Sequence, residues 1–231
     1  MIARKVPRKK AAVNSGEAGL SLTDRAYGHL EEMIVTLQLP PGSAVSETAL
    51  SQRLGIGRTP IREALQRLAR ERLVTILPRR GIIVSEVNVK TQLRLLEVRR
   101  EVERLVARSA ARRASAEERA GFLELARRFE DSASSNDEVG FLHVDREFNE
   151  LSVKAARNEF AAGAMSLMHA LSRRFWYIHY KQAADMPLAA KLHADIARAI
   201  GKGEEAAAAK GMDKLLDFIA KFARDTVTTD Y

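Results

Sequence analysis

The sequence predicts a mainly α protein in two parts: three short helices closed by a small β-hairpin, then an all-α helical bundle. Three observations predict it. Two short apolar-periodic segments flank the turn Leu54-Gly55-Ile56-Gly57. Two β-rich runs, Leu73–Leu77 and Ile82–Val84, enclose Pro78-Arg79-Arg80-Gly81. From Val89 onward the apolar spacing is helical throughout, broken only by short polar links.

Taken in order, residues 1–20 carry five Lys/Arg before position 11 and little periodicity, and read as a flexible basic arm. A first helix is expected over Thr23–Leu37, capped by Thr23, with Tyr27, Leu30, Ile34 and Leu37 as its inner stripe. Leu39-Pro40-Pro41-Gly42 stops it. Ser46 is placed to cap a second helix, Glu47–Leu54, with Leu50 and Leu54 inward and Gly55 as a left-handed terminator. Thr59 is expected to cap a third helix, with Pro60 at its first position. Ile61, Leu65 and Leu68 then face inward, and Arg58, Arg62 and Gln66 face out. The β-rich runs follow as a hairpin with a positive tip. The expected fold is therefore an N-terminal winged helix-turn-helix with a small β-hairpin wing (residues 21–87) plus a C-terminal all-α helical bundle (88–231).

Six helices are expected in the bundle. The first, Thr91–Ala114, carries a stripe of Leu95, Val98, Val102 and Leu105. Ser115-Ala116-Glu117-Glu118 is a capping box opening the second. Ser134-Ser135-Asn136-Asp137 is a polar break before Glu138–Ala155. Glu159–Lys181 reads as one long helix with Phe175, Trp176 and Tyr177, and Met186-Pro187 marks the next boundary. Leu188–Gly201 and Glu204–Arg224 complete the set around the turn Gly201-Lys202-Gly203.

Composition narrows the function. With 231 residues, 46% of them hydrophobic, the chain can bury a substantial core. It has no cysteine, which excludes disulfides, thiol catalysis and thiolate metal sites, and suits a reducing cytoplasm. No apolar run reaches the roughly 20 residues of a membrane span, and no apolar stretch follows the basic N-terminus as a signal peptide requires. Residues 1–88 hold 14 Lys/Arg against 8 Asp/Glu, whereas residues 89–231 hold 24 against 22. The positive excess lies in the first third, where it points to a polyanion partner.

The run LGIGRTPIREALQRLARERLV, with PPG before it and RRGIIV after it, resembles the DNA-binding domain of the GntR family of bacterial transcription regulators, from about Thr23 to Val84. The remainder is similar to the helical ligand-sensing domain of the FadR-type subgroup, in its shorter six-helix, VanR-like form. That similarity rests on Glu97-Val98-Arg99 with Glu103, Asp145-x-x-Phe148-Asn149, Arg157-Asn158, and His193 with Ile196, Ala199-Ile200 and Gly203.

The resemblance implies a homodimeric regulator that reads an inverted-repeat DNA operator. By position, Arg58, Thr59 and Arg62 match recognition-helix contacts, and Gly81 matches the wing tip. Arginine can donate two bonds to guanine O6 and N7, and Thr59 with the helix N-terminus suits a phosphate. Arg53, Arg67, Arg79 and Arg80 read as phosphate-positioning or solvated charge. Thr48 stands where the family often has an arginine. The alternative for Arg62 is an ion pair with a neighbouring acid such as Glu63 or Glu71.

The resemblance also implies a sensor that binds a small carboxylate effector, with repression the commoner outcome in the family. Many members hold a divalent metal, zinc or nickel, on one Asp and three His. The matching positions here are Asp145, Asn149, His193 and Leu215, so two imidazoles are missing and a metal would be weakly held. Arg99 matches a position near the family's pocket and could clamp a carboxylate; its alternative is an ion pair with Glu103. His193 could equally be a core histidine bonded to Asp145 or to water. Trp176, Tyr177 and Tyr180 could line the pocket or belong to the core. Two other functions stay open: a metal-assisted hydrolase using Asp145 and His193, and a non-specific architectural DNA-binding protein. No Gly-rich phosphate loop or nucleophile elbow supports an enzyme.

Overall fold

The computed structural model describes residues 19–135, 137–183 and 185–228. Most of the expected basic arm, residues 1–18, and Asn136 of the expected polar break lie outside the described residues. The fold is mainly α, with a small three-stranded sheet near the N-terminus.

The N-terminal unit holds α1 (Leu22–Val35), β1 (Ala44–Val45), α2 (Glu47–Leu54), α3 (Arg58–Arg70), β2 (Val74–Leu77) and β3 (Gly81–Val84). Ser21, not Thr23, caps α1 by accepting from the Asp24 amide, and Thr23 instead donates to Glu63 on α3 at 2.6 Å. The helix ends at Val35, before the expected Leu37, which sits in the left-handed region at φ 61°. Gly55 terminates α2 at φ 66°, as its position between two apolar-periodic segments predicts. Gly57, not Thr59, is the N-cap of α3, so Pro60 falls at the third helical position, where its missing N–H still costs no intrahelical bond. Ser46 occupies the N-cap of α2 without a side-chain bond.

The sheet order is β1-β3-β2, antiparallel throughout. The expected hairpin is present, with Leu77 opposite Gly81, while β1 is an addition: Ala44 pairs with Ile83 and Val45 with Ile82. Two residues are too few to show a period of two. Leu30, Ile34, Leu50, Ile61, Leu65, Leu68, Leu73 and Val84 form the core of this unit.

Seven described helices follow: α4 (Val89–Arg113), α5 (Ala116–Ser135), α6 (Glu138–Ala156), α7 (Glu159–Ser166), α8 (His169–Ala183), α9 (Met186–Lys202) and α10 (Glu205–Thr228). The capping box forms as written: Glu118 accepts from the Ser115 amide at 2.9 Å, and Ser115 accepts from the Glu118 amide at 3.2 Å. The single helix expected over 159–181 is two. Leu167 and Met168 turn the chain with i→i−3 bonds, and Met165 and Met168 both bury beside Val106 of α4. No Gly or Pro marks that turn, so packing sets it.

The largest correction concerns α4. Val98 and Leu105 are exposed, and Leu95 and Val102 only partly buried; the inward face is Gln92, Leu96, Arg99, Glu103, Val106 and Ala110. Polar residues thus sit where an apolar stripe was expected. They are tolerated because they bond to one another. The bundle core is built from Phe122, Phe129, Phe148, Phe175, Ile196, Ile200, Leu216 and Phe222. Helix α8 belongs to both units: Ala170 is buried in the core of the N-terminal one, and Phe175 in that of the bundle.

Candidate nucleic-acid interface and buried pocket

Helix α3 buries Ile61, Ala64, Leu65 and Leu68 and leaves Arg58, Thr59 and Arg62 exposed. Glu47, in the first turn of α2, gathers both arginines. It accepts from Arg62 Nε and Nη2 at 2.9 Å each and lies 3.6 Å from Arg58. The ion pair expected as the alternative for Arg62 is present, but with Glu47 in place of Glu63 or Glu71: Glu63 accepts from Thr23, and Glu71 accepts from Tyr27 and Arg67. The Arg62 hydrogen bonds, outweighing a small burial cost, hold the Glu47 carboxyl below the usual range. Arg53 is exposed and donates to Gln38 at 3.0 Å. Arg80 and Gly81 are exposed at the hairpin turn, where Arg79 (φ 62°) and Gly81 (φ 103°) take left-handed backbone. Glycine adopts that conformation without a Cβ penalty, whereas Arg79 bears one.

In the bundle, a small, partly open cavity is lined by Arg99, Asp145, Asn149, His193 and Leu215 together. These residues come from four helices, so the fold converges positions far apart in sequence. Arg99 donates to Glu103 at 2.5 Å and to Ser172 Oγ at 2.6 Å, and Gln92 donates to the same hydroxyl at 3.1 Å. Of the aromatic candidates, Trp176 lines the cavity; Tyr177 and Tyr180 are half-buried and pack on each other.

His193 sits among three phenylalanine rings, stacked on Phe129 at 4.9 Å and edge-on to Phe141 and Phe148. Its Nδ1 faces the Ala189 carbonyl at 2.8 Å and its Nε2 faces Asp145 Oδ1 at 3.3 Å. Burial alone would raise the Asp145 pKa. The His193 hydrogen bond, with the charges of His193, Arg173 and His169, overcomes that and holds it below the usual carboxylate range.

The donors do not fit a transition metal. Asn149 offers only a neutral amide, and Leu215 is apolar and buried, so of the four matched positions Asp145 and His193 alone supply strong donors. Among the described residues, no three His, Asp or Glu side chains are grouped to hold an ion.

Several residues at this site escape the sequence reading. Glu47 is one. His169, Ser172 and Arg173, all on α8, line the pocket. Arg173 is buried and donates through Nη1 to Glu31 of α1 at 2.8 Å, while its Nε lies 3.9 Å from Asp145. Its neighbour Arg174 donates to the backbone carbonyls of Ser85 and Glu86, between β3 and α4; burial lowers its pKa to about 10. The available signal is the pair Arg173-Arg174 directly before the aromatic run Phe175-Trp176-Tyr177.

Comparison with known proteins agrees with this architecture. The family model "Bacterial regulatory proteins, gntR family" matches residues 22–84, and the FCD domain model matches residues 94–218. An uncharacterized HTH-type transcriptional regulator of Streptomyces ambofaciens is 47% identical over 62 residues, covering 27% of this chain and 26% of that protein. The HTH-type transcriptional repressor RspR of Escherichia coli K12 is 33% identical over 90 residues, covering 39% of this chain and 40% of RspR. The chain thus matches between about a quarter and two-fifths of the length of these curated relatives. Among solved structures, E. coli McbR/YncC superposes with a TM-score of 0.78 at 17% identity, covering 90% of this chain and 99% of that one. A GntR-type regulator from Rhodococcus sp. RHA1 superposes with a TM-score of 0.67 at 23% identity, covering 88% and 98%. At such identities the structural likeness speaks for the fold, whereas the family models speak for descent. The family and these relatives are transcriptional regulators, not enzymes. With the FCD model spanning over half its length and the GntR model covering the helix-turn-helix, the chain belongs to the GntR family of bacterial regulatory proteins.

Proposed function

We propose that the chain is an operator-binding transcription regulator, acting as a repressor, whose DNA affinity is set by a carboxylate effector held in the C-terminal pocket. The observation that carries the DNA part is the exposed cluster Arg58, Thr59 and Arg62 at the start of α3, opposite a sealed core. A helix with an exposed, basic N-terminal end can enter the major groove and offer a guanidinium to guanine, Glu47 orienting the arginines from behind. Gly81 and Arg80 of the wing then approach the neighbouring backbone, and Arg53 neutralises a phosphate. For the effector, the support is the convergence of Arg99, Asp145, Asn149 and His193 on one cavity.

Such heads act in pairs on half-sites about one helical turn apart, so we read the protein as a cytoplasmic homodimer on an inverted repeat. Val98 and Leu105 on α4 and Phe160 on α7 are exposed apolar side chains, and α4 and α7 pack together, which favours this face for the second copy. The test is selection of bound duplexes from a random library, followed by anisotropy titration and light scattering. An enriched inverted repeat bound by two chains supports the reading. Binding without sequence preference sinks it in favour of an architectural role.

A further inference from the structure

We propose that the basic arm, through Arg4, Lys5, Arg8, Lys9 and Lys10, is a second DNA-contacting element that neutralises operator phosphates outside the half-site read by α3. This rests on the reading of the head as an operator binder and says where most of its positive charge acts.

The head itself is almost neutral. Residues 21–88 hold nine Lys/Arg against seven Asp/Glu, whereas residues 1–20 hold five against one. Of the six positive charges in excess over residues 1–88, four therefore belong to the arm. The cations of the head are also partly matched by its own acids: Arg58 and Arg62 face Glu47, and Arg67 faces Asp24 and Glu71. DNA affinity grows with the number of phosphates a protein neutralises, because each releases condensed counterions. A head with so small an excess gains little from that effect, and the arm is where the cations are concentrated.

The arm is attached beside the reading surface. It joins the described chain at Gly19. Ser21 caps α1 there, and Thr23, four residues after Gly19, donates to Glu63 of α3 at 2.6 Å. Glu63 directly follows Arg62 and stands about one turn after Thr59. Leu20 and Leu22 are exposed, so the root of the arm is not drawn into the head's core. Lys10 and Arg4 stand nine and fifteen residues before Gly19. A stretched chain carries them at most about 30 and 50 Å from it. One turn of duplex is about 34 Å, so the five cations can reach phosphates beyond the half-site. Residues 1–13 hold no Asn or Gln to pair with adenine and no aromatic, which equips the arm to neutralise phosphates rather than to read bases.

The nearest alternative berth is the cleft between head and bundle, which Leu20 also lines. It suits a basic segment poorly. Its three acids, Asp24, Glu31 and Glu150, already face Arg67, Arg173 and Arg146. A duplex instead offers one phosphate charge per about 1.7 Å of axis.

The test compares the full wild-type chain with the full chain carrying Arg4→Gln, Lys5→Gln, Arg8→Gln, Lys9→Gln and Lys10→Gln together. Each is titrated by anisotropy, at several salt concentrations, against an operator duplex selected with wild type. One duplex keeps long flanks and the other is trimmed to the two half-sites. On the long duplex the variant is expected to bind about tenfold or more weaker at physiological salt, with a salt slope smaller by about two to four per chain. Base preference inside the half-site should be unchanged. Trimming the flanks should weaken wild type and leave the variant almost unaffected. Arg4→Lys with Arg8→Lys should keep wild-type affinity and slope, since charge and not the guanidinium fork makes the contact. Equal slopes for wild type and the glutamine variant, an equal loss on both duplexes, an altered base profile, or a loss in the lysine variant would each overturn the proposal while leaving an operator binder in place. Failure of wild type to select any duplex would overturn the operator reading and this inference with it. Melting curves of both variants check that the head is folded; should the glutamine variant fail to fold, the wild-type comparison of long and trimmed duplexes across salt decides.

Discussion

Glu47 and Arg62 are joined by two parallel hydrogen bonds of 2.9 Å, from Nε and Nη2 of the guanidinium to the two carboxylate oxygens. Nη1 is left to point elsewhere, so the pair orients Arg62 without using all its donors. Arg62→Ala is expected to cost about 1–3 kcal/mol at one base position and to relax specificity there. Glu47→Gln keeps the arginine but loosens its orientation, and should blur the same position with a smaller loss. Anisotropy titrations across single-base operator variants measure both. A Glu47→Gln protein with the wild-type base profile would show that the pair is not functional.

Arg53 and Arg80 carry a different expectation. Both are exposed, and among the described residues the bond of Arg53 is to the neutral Gln38 amide. If each neutralises one phosphate, Arg53→Ala and Arg80→Ala should each reduce the salt slope of binding by about one. Affinity would fall evenly across sequences. A changed base preference would instead make either residue a base reader.

How far these sites could be read from sequence depends on how local their causes are. The turn at Gly55, the capping box at Ser115–Glu118 and the hairpin around Arg79-Arg80 are set by neighbours in the chain, and each was legible. The inward face of α4 was not, because Arg99 and Glu103 are polar and their burial is permitted by Ser172, some seventy residues away. The turn at Leu167-Met168 carries no breaker and depends on packing against Val106. Strand β1 is held by cross-strand partners with almost no pattern of its own. At the pocket, the position of Asp145 and His193 could be anticipated by family match, whereas Arg173 was marked only by its place beside Arg174 before an aromatic run. That pairing does not say that an arginine reaches into two domains.

The capping box also makes a pH prediction. The Ser115 amide, against the cost of burial and aided by Arg157, holds the Glu118 carboxyl below its ordinary value of 4.5. A carboxyl whose folded pKa is depressed stabilises the protein above the unfolded value, and that stability is lost as pH falls through the folded one. Glu118→Ala should therefore cost about 1–2 kcal/mol at pH 7, the scale of a lost cap plus its ion pair. The deficit should shrink as pH drops below 4.5. Urea unfolding of both proteins at pH 7 and near pH 3 checks it; a deficit independent of pH would mean the loss is packing alone.

The departures at Asn149 and Leu215 can be reversed. If these two positions alone explain the poor donor set, Asn149→His with Leu215→His should create a site with Asp145 and His193. The doubly substituted chain should be less stable than wild type without metal, because a buried leucine is exchanged for a polar ring; a cost of about 2–3 kcal/mol is expected. Zinc at a hundredfold excess over its dissociation constant should return about 2.7 kcal/mol by mass action. It must displace the proton between His193 and Asp145, so its effect should weaken as pH falls. Scanning calorimetry with zinc and with EDTA, on both proteins, reads this directly. A melting point that responds equally to zinc in wild type and variant would show that Asp145 and His193 suffice, and that the metal argument made from Leu215 is wrong.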